Sequence, residues 1–222
     1  LYIFRIHPRT NMKLSFSAAV LSSVADELQI LIGGEIQRVT QPSDWQIVVS
    51  VFKKQTGEKQ LLLDVSPRFY RAHLTTKRAQ KTTSPAPFLR ALQKHLVGGT
   101  ITKIAQRDAD RVLDLTICKG DEEFLLTAEL MGKHANIILV SPDNKILEAA
   151  KTISGKQSRV RQVAPGREYS APPTPPNFLT PQTDSLVPNS IKLDEYFSHL
   201  ETNDIIAQAR RISETSPNTR IH

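Results

Sequence analysis

The residue pair best suited to chemistry in this chain is Asp110-Arg111. A guanidinium at the start of a β-rich run can meet a phosphate or a base edge while its carboxylate neighbour orients it. The competing reading is a surface ion pair, or a strand-edge charge that discourages pairing. Lys133 and His134 lie between two strand-like runs, within Met131-Gly132-Lys133-His134-Ala135-Asn136. There Gly132 permits a tight turn, and Asn136 either satisfies that turn's backbone or reaches a ligand. From Val65 to Arg107 there is no Asp or Glu but nine basic residues, among them Arg68, Arg71, Lys77, Arg78 and Lys81. A second basic run, from Lys145 to Arg167, sets six Lys/Arg against the single Glu148. Charge segregated in this way attracts polyanions, because each neutralised phosphate releases condensed counterions. Phe69 and Tyr70, flanked by Arg68 and Arg71, are candidates for stacking on bases. Trp45 has apolar strand neighbours and reads as core packing or a domain-edge contact.

Other chemistries lack their residues. The six histidines show no metal-ligand spacing, and the single Cys118 supports neither a disulfide framework nor a cysteine-based zinc site. Ser17 has no recognisable base, and no Gly-rich segment ends in the Lys-Ser/Thr of a phosphate-binding loop. No catalytic residue, cofactor or metal is expected. The net charge of +7 and pI near 9.6 favour nucleic acid over a membrane, since the basic residues do not line one amphipathic helix. No apolar run approaches the ~20 residues of a membrane span. The first eleven residues are too short and too charged for a signal peptide, which makes Met12 the expected start and 1–11 an unstructured extension. The expected location is the cytoplasm.

The elements that must position these residues are written twice. LIGGEIQRVTQ, from Leu31, returns 65 residues later as LVGGTITKIAQ, from Leu96. Two copies suggest a pseudo-twofold domain rather than a solenoid. Val20, Val24, Leu28 and Leu31 recur at helical spacing before the first Gly-Gly, with Ser15 or Ser17 as cap; Phe88, Leu92, His95 and Leu96 do so before the second. Glycine then ends each helix. Strands are predicted over Glu35–Thr40, Trp45–Phe52, Gln60–Val65 and Phe69–Leu74. Their repeats cover Thr100–Gln106, Arg111–Cys118, Glu123–Leu130 and Asn136–Val140, and a further strand lies near Ile146–Ile153. This is an α+β domain over 12–170, built on a β-sandwich or partly closed barrel. The proline-dense stretch 171–190 reads as a linker, 191–212 as one amphipathic helix, and 213–222 as a disordered tail.

Four motifs in order resemble the N-terminal domain of the NFACT family, the RqcH and fibronectin-binding-protein-A-like group. These are HLVGG at His95–Gly99, Asp110-Arg111, ELMGKHANIILV at Glu129–Val140, and Pro165-Gly166 with Tyr169, Pro172 and Pro173. The resemblance implies a fold like the N-terminal domain of formamidopyrimidine-DNA glycosylases without their chemistry. It implies binding of tRNA and of large ribosomal subunits with an obstructed nascent chain, in support of untemplated alanine tailing. It places RNA contacts at Asp110, Arg111, Lys133, His134 and Asn136, to which the charge pattern adds Arg68, Arg71, Lys77, Arg78 and Lys81. The sequence departs from the family where an F-D-G segment is usual, reading Phe16-Ser17-Ala18. A DNA-lesion glycosylase is the competing enzyme, but Met12 is followed by Lys13 rather than the N-terminal proline such enzymes use. A fibronectin-binding surface adhesin is the third reading, and the basic charge argues against it.

Overall fold

A helix begins at residue 18 because Ser17 takes extended backbone angles and its Oγ accepts a hydrogen bond from Val20 N at 3.3 Å. That satisfies one of the donors that a helix start otherwise leaves free. The computed structural model describes residues 16–77, 86–158 and 160–173. The extension 1–11, the helix 191–212, the tail, most of the linker, Arg78 and Lys81 lie outside the described residues. Helix α1 (Ala18–Leu28) buries Val20, Leu21, Val24, Ala25 and Leu28 along one stripe. Helix α2 (Pro87–Leu96) starts on a proline at its first turn, where no donor is lost, and buries Phe88, Leu89, Leu92 and Leu96. Each fully buried leucine contributes about 1.5–3 kcal/mol.

Among the described residues the strands form a single antiparallel sheet of nine. The first copy supplies β1 (Glu35–Ser43), β2 (Gln46–Lys53), β3 (Gly57–Asp64) and β4 (Arg71–Thr75). The second supplies β5 (Thr100–Gln106), β6 (Val112–Lys119), β7 (Glu122–Glu129), β8 (Asn136–Val140) and β9 (Ile146–Ala149). The sheet order is β4-β3-β2-β1-β5-β6-β7-β8-β9. The two copies therefore meet at β1 and β5, which share only the Glu35–Thr100 pair.

The duplication is visible in hydrogen bonds as well as in element order. Gly33 N donates to Ile101 O and Gly98 N to Ile36 O, each at 2.8 Å; Ile36 N reaches Gly99 O and Ile101 N reaches Gly34 O. Every one of these bonds maps onto its mate by the 65-residue shift. Gly33 and Gly98 sit at φ of +79° and +82°, where a Cβ would be strained. Gln29 Nε2 donates to Ile104 O and Gln93 Nε2 to Val39 O, so each copy's helix is stitched to the other copy's strand. Helix α1 packs on β4 and β5, and α2 on β1 and β9.

Of the two expected forms, a sandwich or a partly closed barrel, the sandwich is not seen: the strands make one curled sheet rather than two separate sheets. Its curl is closed by contacts between segments far apart in strand order. Lys151, just past β9, donates from Nζ to Val65 O at 2.7 Å at the end of β3. A single apolar core unites α1, α2 and the inner faces of both copies. On the outer face of β8 and β9, Ile138, Val140, Ile146 and Ala149 are covered by Val163 and Tyr169 from the closing segment.

The repeat is not uniform. The turn between β5 and β6 is Arg107–Arg111, whereas β1 and β2 are joined by Asp44 and Trp45 alone. This places β6 at an offset of 66 from β2, while the other strands keep 65. Val65 N donates to Trp45 O, and Leu130 N to Arg111 O, both at 2.8 Å. Trp45 is therefore the structural equivalent of Arg111, and Asp44 of Asp110, one residue away from the uniform 65-residue match.

Candidate nucleic-acid interface

Arg111 stands at the end of a turn that is both strained and firmly held. Asp110 N donates to Arg107 O and Arg107 N to Val112 O, each at 2.9 Å. Inside that loop Asp108 and Ala109 both have positive φ, 49° and 52°. Side chains with a Cβ rarely occupy this region, and strain of order 1–3 kcal/mol persists only where the surroundings over-determine it. Here they do. Gln106 Nε2 donates to Asp110 O at 2.7 Å and to Ala18 O at 2.9 Å, which ties the turn to the start of α1. Asp110 Oδ1 accepts from Arg111 N at 2.7 Å. Arg107 Nε binds Asp114 Oδ2 at 2.7 Å, and its Nη1 donates to Tyr169 Oη at 3.0 Å.

The pair Asp110-Arg111 thus divides its labour. Asp110 is buried, and its carboxylate holds the backbone N–H of Arg111 rather than the guanidinium. The guanidinium of Arg111 forms no ion pair or hydrogen bond among the described residues. Ser17, where the family usually has an acid, is the cap of α1 and lies next to Ala18, which Gln106 links to Asp110. An Asp would cap that helix equally well, so the departure leaves the local fold intact.

Lys133 and His134 are exposed on a short 3-10 turn spanning Gly132–His134, with Gly132 at φ +60°. A Cβ built on Gly132 would lie 3.7 Å from Tyr70. The β7–β8 loop therefore rests against the β3–β4 loop that carries Arg68, Phe69 and Tyr70. These two loops are mates under the 65-residue shift, and they meet where the sheet curls. Arg68 is exposed, with its guanidinium 5.7 Å from the ring centroid of Phe69, and Lys77 is exposed beyond β4. Arg111, Lys133, His134 and Arg68 are so brought onto loops that touch one another or share a strand end.

Two nominated residues lie inside instead. Arg71 is directly opposite Asp64 in the β3–β4 register, and its Nη2 lies 3.6 Å from Asp64 Oδ2, with side chains 4% and 2% exposed. Asp64 also accepts from Gln46 Nε2 and from Ser66 N. Arg71 is a buried counter-ion within the fold rather than a surface cation. Asn136 is buried too: its Oδ1 accepts from Ile137 N and Lys151 N, and its Nδ2 donates to Lys151 O. Of its two possible roles it takes the structural one, fastening the segment after β9 to the start of β8.

The sequence did not single out three residues that matter here, Lys151, Gln106 and Arg161. Lys151 was one count in a basic run, yet its Nζ sits 4.6 Å from the Trp45 ring centroid while bonded to Val65 O. Burial lowers its pKa, with nearby Asp64 opposing. Gln106 could have been found, since it matches Gln41 in the repeat. Arg161 forms a two-pronged ion pair with Glu129, whose side chain is 3% exposed, and donates from Nε to Ser170 O. Tyr169 Oη completes that group by donating to Glu129 Oε1 at 3.2 Å. Burial, then the Glu129 charge, push its hydroxyl up to about 12. This cluster accounts for the Pro-Gly and Tyr motif: it fastens the closing segment beside the Arg107 turn. Trp45, expected in the core or at a domain edge, is 40% exposed. Among the described residues no three His, Cys, Asp or Glu side chains gather as metal ligands, and no helix is long and apolar enough to cross a membrane.

Known proteins agree with this architecture. The N-terminal domain of fibronectin-binding protein PavA from Streptococcus pneumoniae superposes with a TM-score of 0.69 at 32% identity, over 84% of this chain and 69% of that one. A protein named Rqc2 homolog RqcH, also from Streptococcus pneumoniae, is 33% identical over 202 residues, 88% of this chain and 35% of its own length. Ribosome quality control complex subunit 2 of Schizosaccharomyces pombe is 25% identical over 93% of this chain and 21% of its own length. The chain thus spans about a third or less of these two relatives. The model of the NFACT N-terminal and middle domains matches residues 17–213. With that match, the duplicated sheet and the four motifs in place, the chain belongs to the NFACT family.

Proposed function

We propose that this chain is the RNA-binding part of a ribosome quality control factor. In this reading it binds tRNA on large ribosomal subunits that carry an obstructed nascent chain, and supports untemplated alanine tailing of that chain. Peptide transfer belongs to the ribosome, and this domain hydrolyses nothing. The observation that carries the reading is the strained, over-determined turn that leaves the Arg111 guanidinium without a partner among the described residues. Strain of this kind concentrates at functional sites, and a guanidinium held ready by its backbone loses little freedom on meeting a phosphate. Exposed Lys133, His134, Arg68 and Lys77 supply further positive charge, with Arg78 and Lys81 assigned to the same role from the sequence.

Arg111→Ala and Asp110→Ala separate binding from folding. Losing a charge-assisted contact costs roughly 1.5–3 kcal/mol, or about ten- to a hundredfold in tRNA affinity. Arg111→Ala is expected to show that loss with a nearly unchanged melting temperature. Asp110→Ala removes the acceptor that holds the turn, and is expected to destabilise the fold by about 1–2 kcal/mol. Normal tRNA affinity of folded Arg111→Ala would reject the assignment. Recovery of intact large subunits with the tagged chain tests the ribosomal part. The fibronectin-binding name of the similar PavA domain motivates one comparison, in which immobilised fibronectin is offered in place of subunits.

A further inference from the structure

Trp45 and Arg111 occupy the same position in the two copies, as the matched bonds from Val65 N and Leu130 N show. Each is bonded to the residue that opens one of two loops, β3–β4 for Trp45 and β7–β8 for Arg111, and those loops touch at Tyr70 and Gly132. One copy thus presents a guanidinium there, and the other presents an indole. The indole is not packed away: it is 40% exposed, and Phe69 on the neighbouring loop is 37% exposed. One face of the Trp45 ring carries the Lys151 ammonium, 4.6 Å from its centroid. Lys151 is itself fixed by its bond to Val65 O and by both amide atoms of Asn136 on its backbone. The ring is therefore held from one side by a cation, and part of its remaining surface is open to solvent.

A large apolar ring kept at the surface by a fixed cation, at the strand end whose turns and loops also carry Arg68, Lys133 and Arg111, is not explained by packing. A protein partner would gain area from the ring but would have to desolvate these cations. An unpaired nucleotide uses both features, because its base has an apolar face for the ring and its phosphate answers the charge. We propose that Trp45, backed by Lys151, is a stacking platform for an unpaired base of the bound RNA. The strand would cross the two loops from the platform to Arg111. This inference rests on the RNA-binding reading and adds that the RNA is single-stranded at this point.

Trp45 is the only tryptophan in the chain, so its emission reports on this site alone. The full chain is titrated with a fluorescein-labelled 12-nucleotide single-stranded RNA and with a blunt duplex of the same length. Binding is read by anisotropy of the label, and stacking is read in parallel with unlabelled RNA as quenching of tryptophan emission. The expected result is saturable quenching by the single strand and little by the duplex. Trp45→Ala is expected to weaken single-strand binding about ten- to a hundredfold while leaving the salt dependence unchanged, and Trp45→Phe to retain part of the affinity. Circular dichroism establishes that the variants are folded, and Trp45→Phe carries the test if Trp45→Ala is not. Anisotropy showing tight binding without quenching, or with unchanged affinity in folded Trp45→Phe and Trp45→Ala, would overturn the platform and leave RNA binding standing. Absence of binding to any RNA would overturn both readings. Quenching by purified fibronectin but not by RNA would assign the patch to protein and overturn the inference.

Discussion

Replacing Arg161 by Met leaves the Glu129 carboxylate in place without its counter-ion. Glu129 is 3% exposed and Arg161 12% at their side chains, so water screens the pair poorly. Arg161 supplies two of the donors to the carboxylate, at 2.8 and 2.5 Å, and the donor that remains is Tyr169 Oη at 3.2 Å. Breaking a buried pair by removing one partner costs about 3–5 kcal/mol. Arg161 lies at the rim, and water can follow the vacated guanidinium, so the lower end of about 3 kcal/mol applies. For a domain of this size that lowers the melting temperature by roughly 6–12 °C. The diagnostic comparison is the double variant Arg161→Met with Glu129→Gln. An amide in place of the stranded carboxylate removes the uncompensated charge, so the double variant is expected to melt above the Arg161→Met single by several degrees. Scanning calorimetry on the three variants and the parent reads all four corners of the cycle. If the two single effects simply add, the pair is not a desolvated ionic contact and the account of the closing segment fails.

Three further outcomes follow from the same structure. Ala109→Gly relieves a Cβ at φ +52° and is expected to stabilise the fold by about 1 kcal/mol in urea melts; a loss of stability would show that Ala109 is not strained. Tyr169 has its pKa raised to about 12 from an unfolded value near 10. Its contribution is thus fully present below pH 10 and lost as pH rises towards 12, by about 2–3 kcal/mol. Comparing parent with Tyr169→Phe across that window should show a steeper decline in the parent, and parallel curves would refute the assignment. Gly34→Ala and Gly99→Ala would bring a Cβ to 2.5 Å from Val51 Cγ1 and 2.7 Å from Ile117 Cγ2, with the carbonyls of Leu31 and Leu96 also close. Each is expected to cost about 2–3 kcal/mol by denaturant midpoint, and a neutral result at either would contradict the close approach.

The strands and both helices were legible because the repeat and the alternation of apolar residues are local signals. Thr100–Gln106 and Asn136–Val140 coincide with the predicted spans, and most other bounds moved by one to three residues. The exchange of helices between copies was not legible, since nothing in Val24 or Leu92 says which strand it will meet. Charge counting misled for a similar reason. Arg71 stood in a stretch free of acids, but its partner Asp64 is one residue before that stretch and directly across the hairpin. Arg161 likewise finds Glu129 far back along the chain. Trp45 had the apolar neighbours of a core residue, yet it is the last residue of a two-residue turn rather than part of β2. At the candidate site, Lys133 and His134 lie on the expected loop between two strands, while Arg111, expected to open a strand, is the last residue of the turn before β6. The strained backbone that holds Arg111 has no counterpart in residue type, because Asp-Ala does not announce a left-handed turn.

The exchanged helices have a bearing on synthesis. Helix α1 packs against β5, which lies in the second copy. As the chain leaves the ribosome, α1 can meet β4 of its own copy, but the part of its apolar stripe that faces β5 stays uncovered until Thr100–Gln106 follows. Neither copy is a self-sufficient folding step, and the first must wait for the second. A nascent chain halted between them would expose an unfinished apolar face.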